Sequence, residues 1–201
     1  IMFSGKARVG KTHAAKQIAE LAFSAGMKPV LLPFAKPIKD KAAADGYTKE
    51  DNPQEYRSYC QLMGESARNS NPDYWINLWI EQLKLVEDKE HADIAANKKH
   101  WEHVVIVDDC RYENEVKTCK ELNGLLVFIR HGSRNIEDLD ASWRDHESEI
   151  FANNTEVHGD ILVDYTIDNN ETVRAFNGSI HSISRELLGL GPNIESDSDA
   201  V

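Results

Sequence analysis

Near its start the chain carries Gly5-Lys6-Ala7-Arg8-Val9-Gly10-Lys11-Thr12, which satisfies the spacing G-x-x-x-x-G-K-[ST]. Each fixed position answers a requirement of polyphosphate chemistry. The glycines let backbone N–H groups turn inward around a phosphate, Lys11 reaches the β- and γ-phosphates, and the Thr12 hydroxyl ligates Mg²⁺. The helix expected next aims the positive end of its dipole at the same anion. The bland alternative is a glycine turn with an incidental lysine. It does not explain why the pattern stands between an apolar strand and a helical repeat.

A nucleoside triphosphate with its magnesium also needs a carboxylate. The segment "HVVIVDDCR" supplies it, as an apolar run ending in Asp108-Asp109. At a strand end an acidic residue holds the metal, usually through water, or orients the nucleophile. One of the pair could instead cap the following helix.

Arginines stand where a second phosphate would need them. Arg57 and Arg68 lie in one helical stretch and Arg111 directly follows the Asp pair. Arg130 ends an apolar run, and Arg134 and Arg144 follow in a polar stretch with the composition of a lid. Guanidinium groups bind phosphate through paired hydrogen bonds and stabilise charge on a transferring phosphoryl group. A GTPase would want N-K-x-D for its base, and "NKKH" at positions 97–100 lacks the aspartate.

The elements that must position these groups are legible as alternating patterns. Short apolar runs at 1–3, 30–35, 104–107, 125–129 and 161–167 predict strands buried on both faces. Between them, Ala14, Ile18, Leu21, Ala22 and Ala25 form one helical stripe that Gly26 stops. Val173, Phe176, Ile180, Ile183 and Leu187 predict a late amphipathic helix. Strands alternating with helices predict an α/β fold, a parallel sheet with helices on both faces. Trp75 and Trp79 fall one turn apart on a helix over 74–86 and read as core or as a base-stacking platform. The charged segment 87–103 reads as a solvated helix extension or surface loop, and the acidic tail from 191 to 201 as disordered. One domain over 1–190 accounts for the rest.

The formal charge of −11 argues against general affinity for nucleic-acid backbone, though not against a local basic pocket. No apolar run approaches a membrane span and no secretory leader is evident, so no membrane partner is expected. Three cysteines, Cys60, Cys110 and Cys119, lack metal-ligand spacing and are expected reduced, in a cytoplasmic setting.

Five segments together resemble the bacteriophage deoxynucleoside monophosphate kinases, a branch of the P-loop nucleoside monophosphate kinase group. They are "SGKARVGKT"; "PFAKPIKDKA"; the set Arg57, Gln61, Gly64, Arg68, Pro72, Asp73 and Trp75; "VVIVDDCRYENEVKTCKELNG" with "VFIR"; and "DHESE" with "IDNNET". The element Asp109, Arg111, Asn114, Glu115 is the most specific of them. The resemblance implies a three-layer P-loop kinase fold with an about five-stranded parallel sheet and a small lid at about 131–146. It also implies an acceptor-binding helical region at about 36–86.

The implied activity moves the ATP γ-phosphate to a deoxynucleoside 5′-monophosphate with Mg²⁺, for nucleotide supply to DNA synthesis in a host-cell cytoplasm. On the donor side the resemblance places Gly5, Ala7, Val9, Gly10, Lys11, Thr12 and His13, with Arg134 from the lid. Asp109 aligns with the family's aspartate and takes the metal side with Thr12. Lys11, Asp109, Arg111 and Arg130 form the implied catalytic set. Phe34, Lys36, Lys39, Arg57, Gln61, Arg68, Trp75, Arg111, Glu115 and Glu147 form the acceptor set. Lys36 stands where the family has an acidic or small residue, and His146 and Glu147 read equally as the start of a helix. A homodimer is implied by resemblance alone. Two other readings remain: a P-loop kinase for another small anionic metabolite, dephospho-coenzyme A-like, and a non-catalytic nucleotide-binding protein.

Overall fold

The computed structural model describes residues 1–98, 101–131 and 163–191. The five described strands are β1 (Met2–Ser4), β2 (Lys28–Leu31), β3 (His103–Ile106), β4 (Leu126–Arg130) and β5 (Tyr165–Asp168). Helices are α1 (Lys11–Ser24), α2 (Lys36–Ala44), α3 (Pro53–Ser70), α4 (Tyr74–Ala95), α5 (Glu113–Glu121) and α6 (Val173–Leu187).

All strand pairs are parallel. β1 pairs with β4 and β4 with β5, while β2 pairs with β3. The two ladders join through a parallel bridge between Met2 and Val107, where Phe3 N–H donates to Val107 O at 2.7 Å and Val107 N–H to Ile1 O at 2.9 Å. The sheet therefore runs β2-β3-β1-β4-β5, and its parallel pairing is what the alternation of strands and helices predicts.

Successive strand residues point to opposite faces, and the packing shows it. Phe3, Ile106, Val127 and Ile167 meet α1 and α6 through Ala14, Ile18, Phe176 and Ile180. Met2, Val107 and Leu126 turn the other way, toward Ile76 and Trp79 of α4 and Val116 of α5. This is why the runs are apolar throughout rather than alternating. Phe3 is fully buried, so Phe3→Ala would cost about 3–5 kcal/mol.

Two strand expectations shift. The run 30–35 ends as a strand at Leu31, after which Leu32 N–H still donates to Ile106 O. Pro33 has no N–H to continue the ladder, and the next two N–H groups go elsewhere. The last strand begins at Tyr165; of its expected run, 161 and 162 lie outside the described residues. The segment 87–103 is a helix extension as far as Ala95, in α4. Val173 opens α6 but is 70% exposed, while Ser184 shares the buried face with Phe176 and Ile180. The expected lid past His131, with Arg134, Arg144, His146 and Glu147, and the tail past Gly191 lie outside the described residues.

Candidate active site

β1 and β3 are sheet neighbours running the same way, so the loops that leave their carboxyl ends emerge side by side. Chain order reverses around β1, with β3 and β2 on one side and β4 and β5 on the other. Ligands of open α/β sheets collect at such a switch point. The loop 5–10 follows β1, and Asp108-Asp109 follows β3.

The loop's backbone needs its glycines. Gly5 has φ 134°, and a Cβ there would stand 2.4 Å from Ile129 O. Gly10 has φ 107°, and its Cβ would stand 2.8 Å from the Phe176 ring. Arg8, between them, also holds a left-handed φ of 62°. The loop is tied down from outside by Asn169, whose Nδ2 donates to Val9 O at 2.9 Å. Gly10 N-caps α1 with no side-chain cap, which leaves first-turn N–H groups for an anion. Lys11 is buried and its ammonium donates to Gly5 O and Lys6 O, both at 2.6 Å. The lysine thus arches over the loop it would serve.

The two aspartates part company. Thr12 Oγ1 donates to Asp108 Oδ2 at 2.7 Å. Asp109 instead accepts the N–H groups of Phe34 (2.7 Å) and Ala35 (3.1 Å), with Lys39 Nζ 3.9 Å away. These are the two N–H groups that leave the β2 ladder after Pro33. Burial pushes the Asp109 carboxyl above its ordinary range, and Lys39 beside it pulls it partly back. The hydroxyl expected on the metal side therefore faces Asp108, and Asp109 closes the turn between β2 and α2.

Across from the loop, a cleft of about 1450 Å³ runs to α2, α3 and the start of α5. That exceeds the roughly 300–1,000 Å³ of a site for one small ligand. Arg57, Gln61, Gly64 and Arg68 recur at four, three and four residues, so one face of α3 carries them all, and Arg57, Gln61 and Arg68 line the cleft. Lys39 and Arg111 join them. Seven cationic side chains line the cleft against four acidic ones, the reverse of the chain's overall balance. Such a local surplus attracts an anion despite the net charge.

Glu115 sits under this wall and is buried. Its Oε2 accepts from Arg111 N–H at 2.7 Å and Tyr112 N–H at 3.1 Å, fixing the turn that presents both residues. Desolvation pushes its carboxyl up to about 8, against the downward pull of the Arg111 N–H.

Of the expected residues, the structure brings Gly10, Lys11, Thr12, His13, Lys39, Arg57, Gln61, Arg68, Asp109, Arg111 and Glu115 to one cleft. Gly5 and Val9 are buried within the loop, and Ala7 lies between them. His13 accepts or donates to Gln17 and Asn177 and stacks on Phe176 at 6.0 Å. Several others stand apart. Trp75 is buried and its Nε1 donates to Gly64 O, so it holds α3 to α4 from behind the wall. Phe34 packs on Trp79 in the core, and Lys36 pairs with Asp40 on α2. Arg130 makes two hydrogen bonds to Asp168 of the neighbouring strand, at 2.9 and 3.2 Å.

Sequence reasoning did not single out Arg8, Tyr56 or Tyr112, which also line the cleft. Tyr56 adjoins Arg57 on α3, but adjacent helical residues point in different directions, so the spacing that marks Arg57, Gln61 and Arg68 does not mark it. Arg8 occupies a variable position of the loop, and its type carries no signal. Among the described residues no cluster of three or more His, Cys, Asp or Glu is placed to hold a metal. All three cysteines are free thiols. No described helix is long and apolar enough to cross a membrane.

No family model matches the chain, and no curated protein matches it. Among solved structures, a dephospho-CoA kinase from Campylobacter jejuni superposes with a TM-score of 0.50 at 13% identity, over 94% of this chain and 96% of that one. The fold is that of a P-loop kinase. The likeness at that identity speaks for the architecture, with its parallel sheet and flanking helices. The strand-to-helix loop after β1 opens onto a basic cleft rather than flat surface.

Proposed function

We propose that this chain is an ATP-dependent kinase that transfers the γ-phosphate to the 5′-phosphate of a deoxynucleoside monophosphate. The observation that carries the reading is one continuous cleft with Gly10, Lys11 and Thr12 at one side and Arg57, Arg68 and Arg111 at the other. Its volume suits two nucleotides, and its cations suit two anions that repel each other.

On this reading the loop and the α1 amino terminus hold the donor's polyphosphate, with Lys11 swinging from its carbonyl contacts to the β- and γ-phosphates. Arg68 and Arg111 hold the acceptor's phosphate in line. A phosphate oxygen of the acceptor forms the new bond to the γ-phosphorus, and the bridging bond to the β-phosphate breaks, releasing ADP. The transition state is loose, so positioning and charge neutralisation supply most of the rate. No side-chain nucleophile is required.

Thr12 and Asp108 offer a hydroxyl and a carboxylate oxygen 2.7 Å apart, hard donors that suit Mg²⁺. When bound there, the ion would neutralise charge on the donor phosphates, with water and phosphate completing its shell. We therefore assign the metal side to Thr12 and Asp108, and to Asp109 the positioning of the β2–α2 turn.

A second reading, a kinase for a dephospho-coenzyme A-like anionic acceptor, is kept by the likeness in fold to the Campylobacter enzyme. ADP release measured over deoxy- and ribonucleoside monophosphates, dephospho-coenzyme A and no acceptor separates the two. Binding of ATP without any acceptor-dependent release would mark a non-catalytic nucleotide-binding protein.

A further inference from the structure

Arg68 stands in the last turn of α3 and lines the acceptor half of the cleft. Its guanidinium carbon lies 4.0 Å from the centroid of the Tyr112 ring. The opposite constraint comes from its own helix one turn earlier. A Cβ at Gly64 would stand 3.1 Å from Arg68 Nη1, closer than side chains ordinarily approach.

Both neighbours are themselves fixed. Tyr112 is held through its N–H to Glu115, and Gly64 is buried with its carbonyl accepting Trp75 Nε1. Glycine inside an eighteen-residue helix is unfavourable relative to alanine, so its presence at 64 asks for a reason. Packing against α2 does not supply one, because Ile38 Cδ1 would meet a Cβ at 3.7 Å, an ordinary contact. Arg68 alone would be crowded.

Stacking on a ring engages the face of a guanidinium and leaves its N–H donors around the edge. An arginine confined in this way loses little further freedom when it meets an oxyanion, so more of the contact energy appears as affinity. Paired N–H donors at a fixed angle also match a phosphate monoester better than a single charge does.

We propose that Tyr112 and Gly64 are positioning residues: the ring and the bare α-carbon hold the Arg68 guanidinium in the orientation that grips the phosphate of the acceptor. This rests on the reading of the cleft as a mononucleotide kinase site. It also gives a reason for an aromatic residue at 112, under the Arg68 guanidinium.

The test uses the full chain and the deoxynucleoside monophosphate that the parent turns over fastest. Gly64→Ala should raise the Tm by about 2–4 °C, through helix propensity, yet raise the acceptor KM about 5- to 10-fold with the ATP KM unchanged. Tyr112→Leu should raise the acceptor KM to a similar extent, and Tyr112→Phe should restore it. In an Arg68→Ala background neither change should raise the acceptor KM further. A more stable Gly64→Ala variant with the parent's acceptor KM overturns the inference, as does an effect of Tyr112→Leu that adds in full to Arg68→Ala. If Tyr112→Leu does not fold, Gly64→Ala decides. A parent without acceptor-dependent turnover overturns both the inference and the kinase reading; a parent that turns over while Gly64→Ala is silent overturns the inference alone.

Discussion

Thr12 and Asp108, 96 residues apart, share a 2.7 Å hydrogen bond that ties the first turn of α1 to the end of β3. The contact follows from the sheet, in which β1 and β3 are parallel neighbours, and it gives two adjacent aspartates different partners.

Removing each carboxylate should therefore have a different signature. Asp108→Asn should shift the Mg²⁺ requirement of turnover upward by about tenfold while the melting temperature barely moves. Asp109→Ala should leave the N–H groups of Phe34 and Ala35 without their acceptor and cost about 1–3 kcal/mol of stability. Magnesium titrations of activity and denaturant melts of both variants check the pair. Reversed signatures would return the metal side to Asp109.

Lys11→Ala should lower kcat by about 10²–10³-fold, the scale of losing one charged group preorganised toward the transferring phosphoryl. The far-UV circular dichroism should stay that of the parent, because the hydrogen bonds of the lysine ammonium to Gly5 O and Lys6 O lie within one loop and hold no helix or strand together. A folded variant with the parent's rate would remove the loop from the chemistry.

Gly5→Ala should be more damaging to the fold than to any one contact. The new Cβ meets a backbone oxygen that belongs to β4 and cannot swing away, and φ 134° is unfavourable for alanine. A loss of about 2–4 kcal/mol or more, read by denaturant unfolding, is expected. Gly26→Ala, with open space around its Cβ, should cost less.

Stability should fall as pH rises between about 4.5 and 8 on account of Glu115. Its carboxyl is raised to about 8 in the folded chain from 4.5, so across that window the folded state holds a proton that the unfolded state has released. The stabilisation is complete below 4.5 and is lost as pH passes through 8, with a slope of at most about 1.4 kcal/mol per pH unit for one proton. Asp109, also raised by burial, acts in the same direction. Glu115→Gln keeps an oxygen for both N–H groups and should flatten the dependence, as read from melts at several pH values.

Much of this architecture is legible in the chain itself, for stated reasons. The loop after β1 stands out because polyphosphate binding would fix residue types at fixed spacing. Ile106 and Val107 are both apolar because the sheet is covered on both faces. Pro33 could have ended β2 on the page, but the destination of the next two N–H groups could not be read, since their acceptor is 74 and 75 residues away. For the same reason Asp108 and Asp109 look alike in sequence: neighbours leaving a strand point to opposite sides, and only the pairing decides which side faces Thr12. Trp75 and Arg130 carry types suited to a binding site, yet a buried carbonyl claims one and Asp168 of the adjacent strand pairs with the other.

The account turns on a phosphate acceptor held opposite the loop, and acceptor-dependent ADP release measures it most directly. With ATP, Mg²⁺ and a panel of mononucleotides, it predicts ADP formed one for one with a deoxynucleoside diphosphate, and little release without acceptor. No stimulation by any mononucleotide, or stimulation by dephospho-coenzyme A alone, would contradict it.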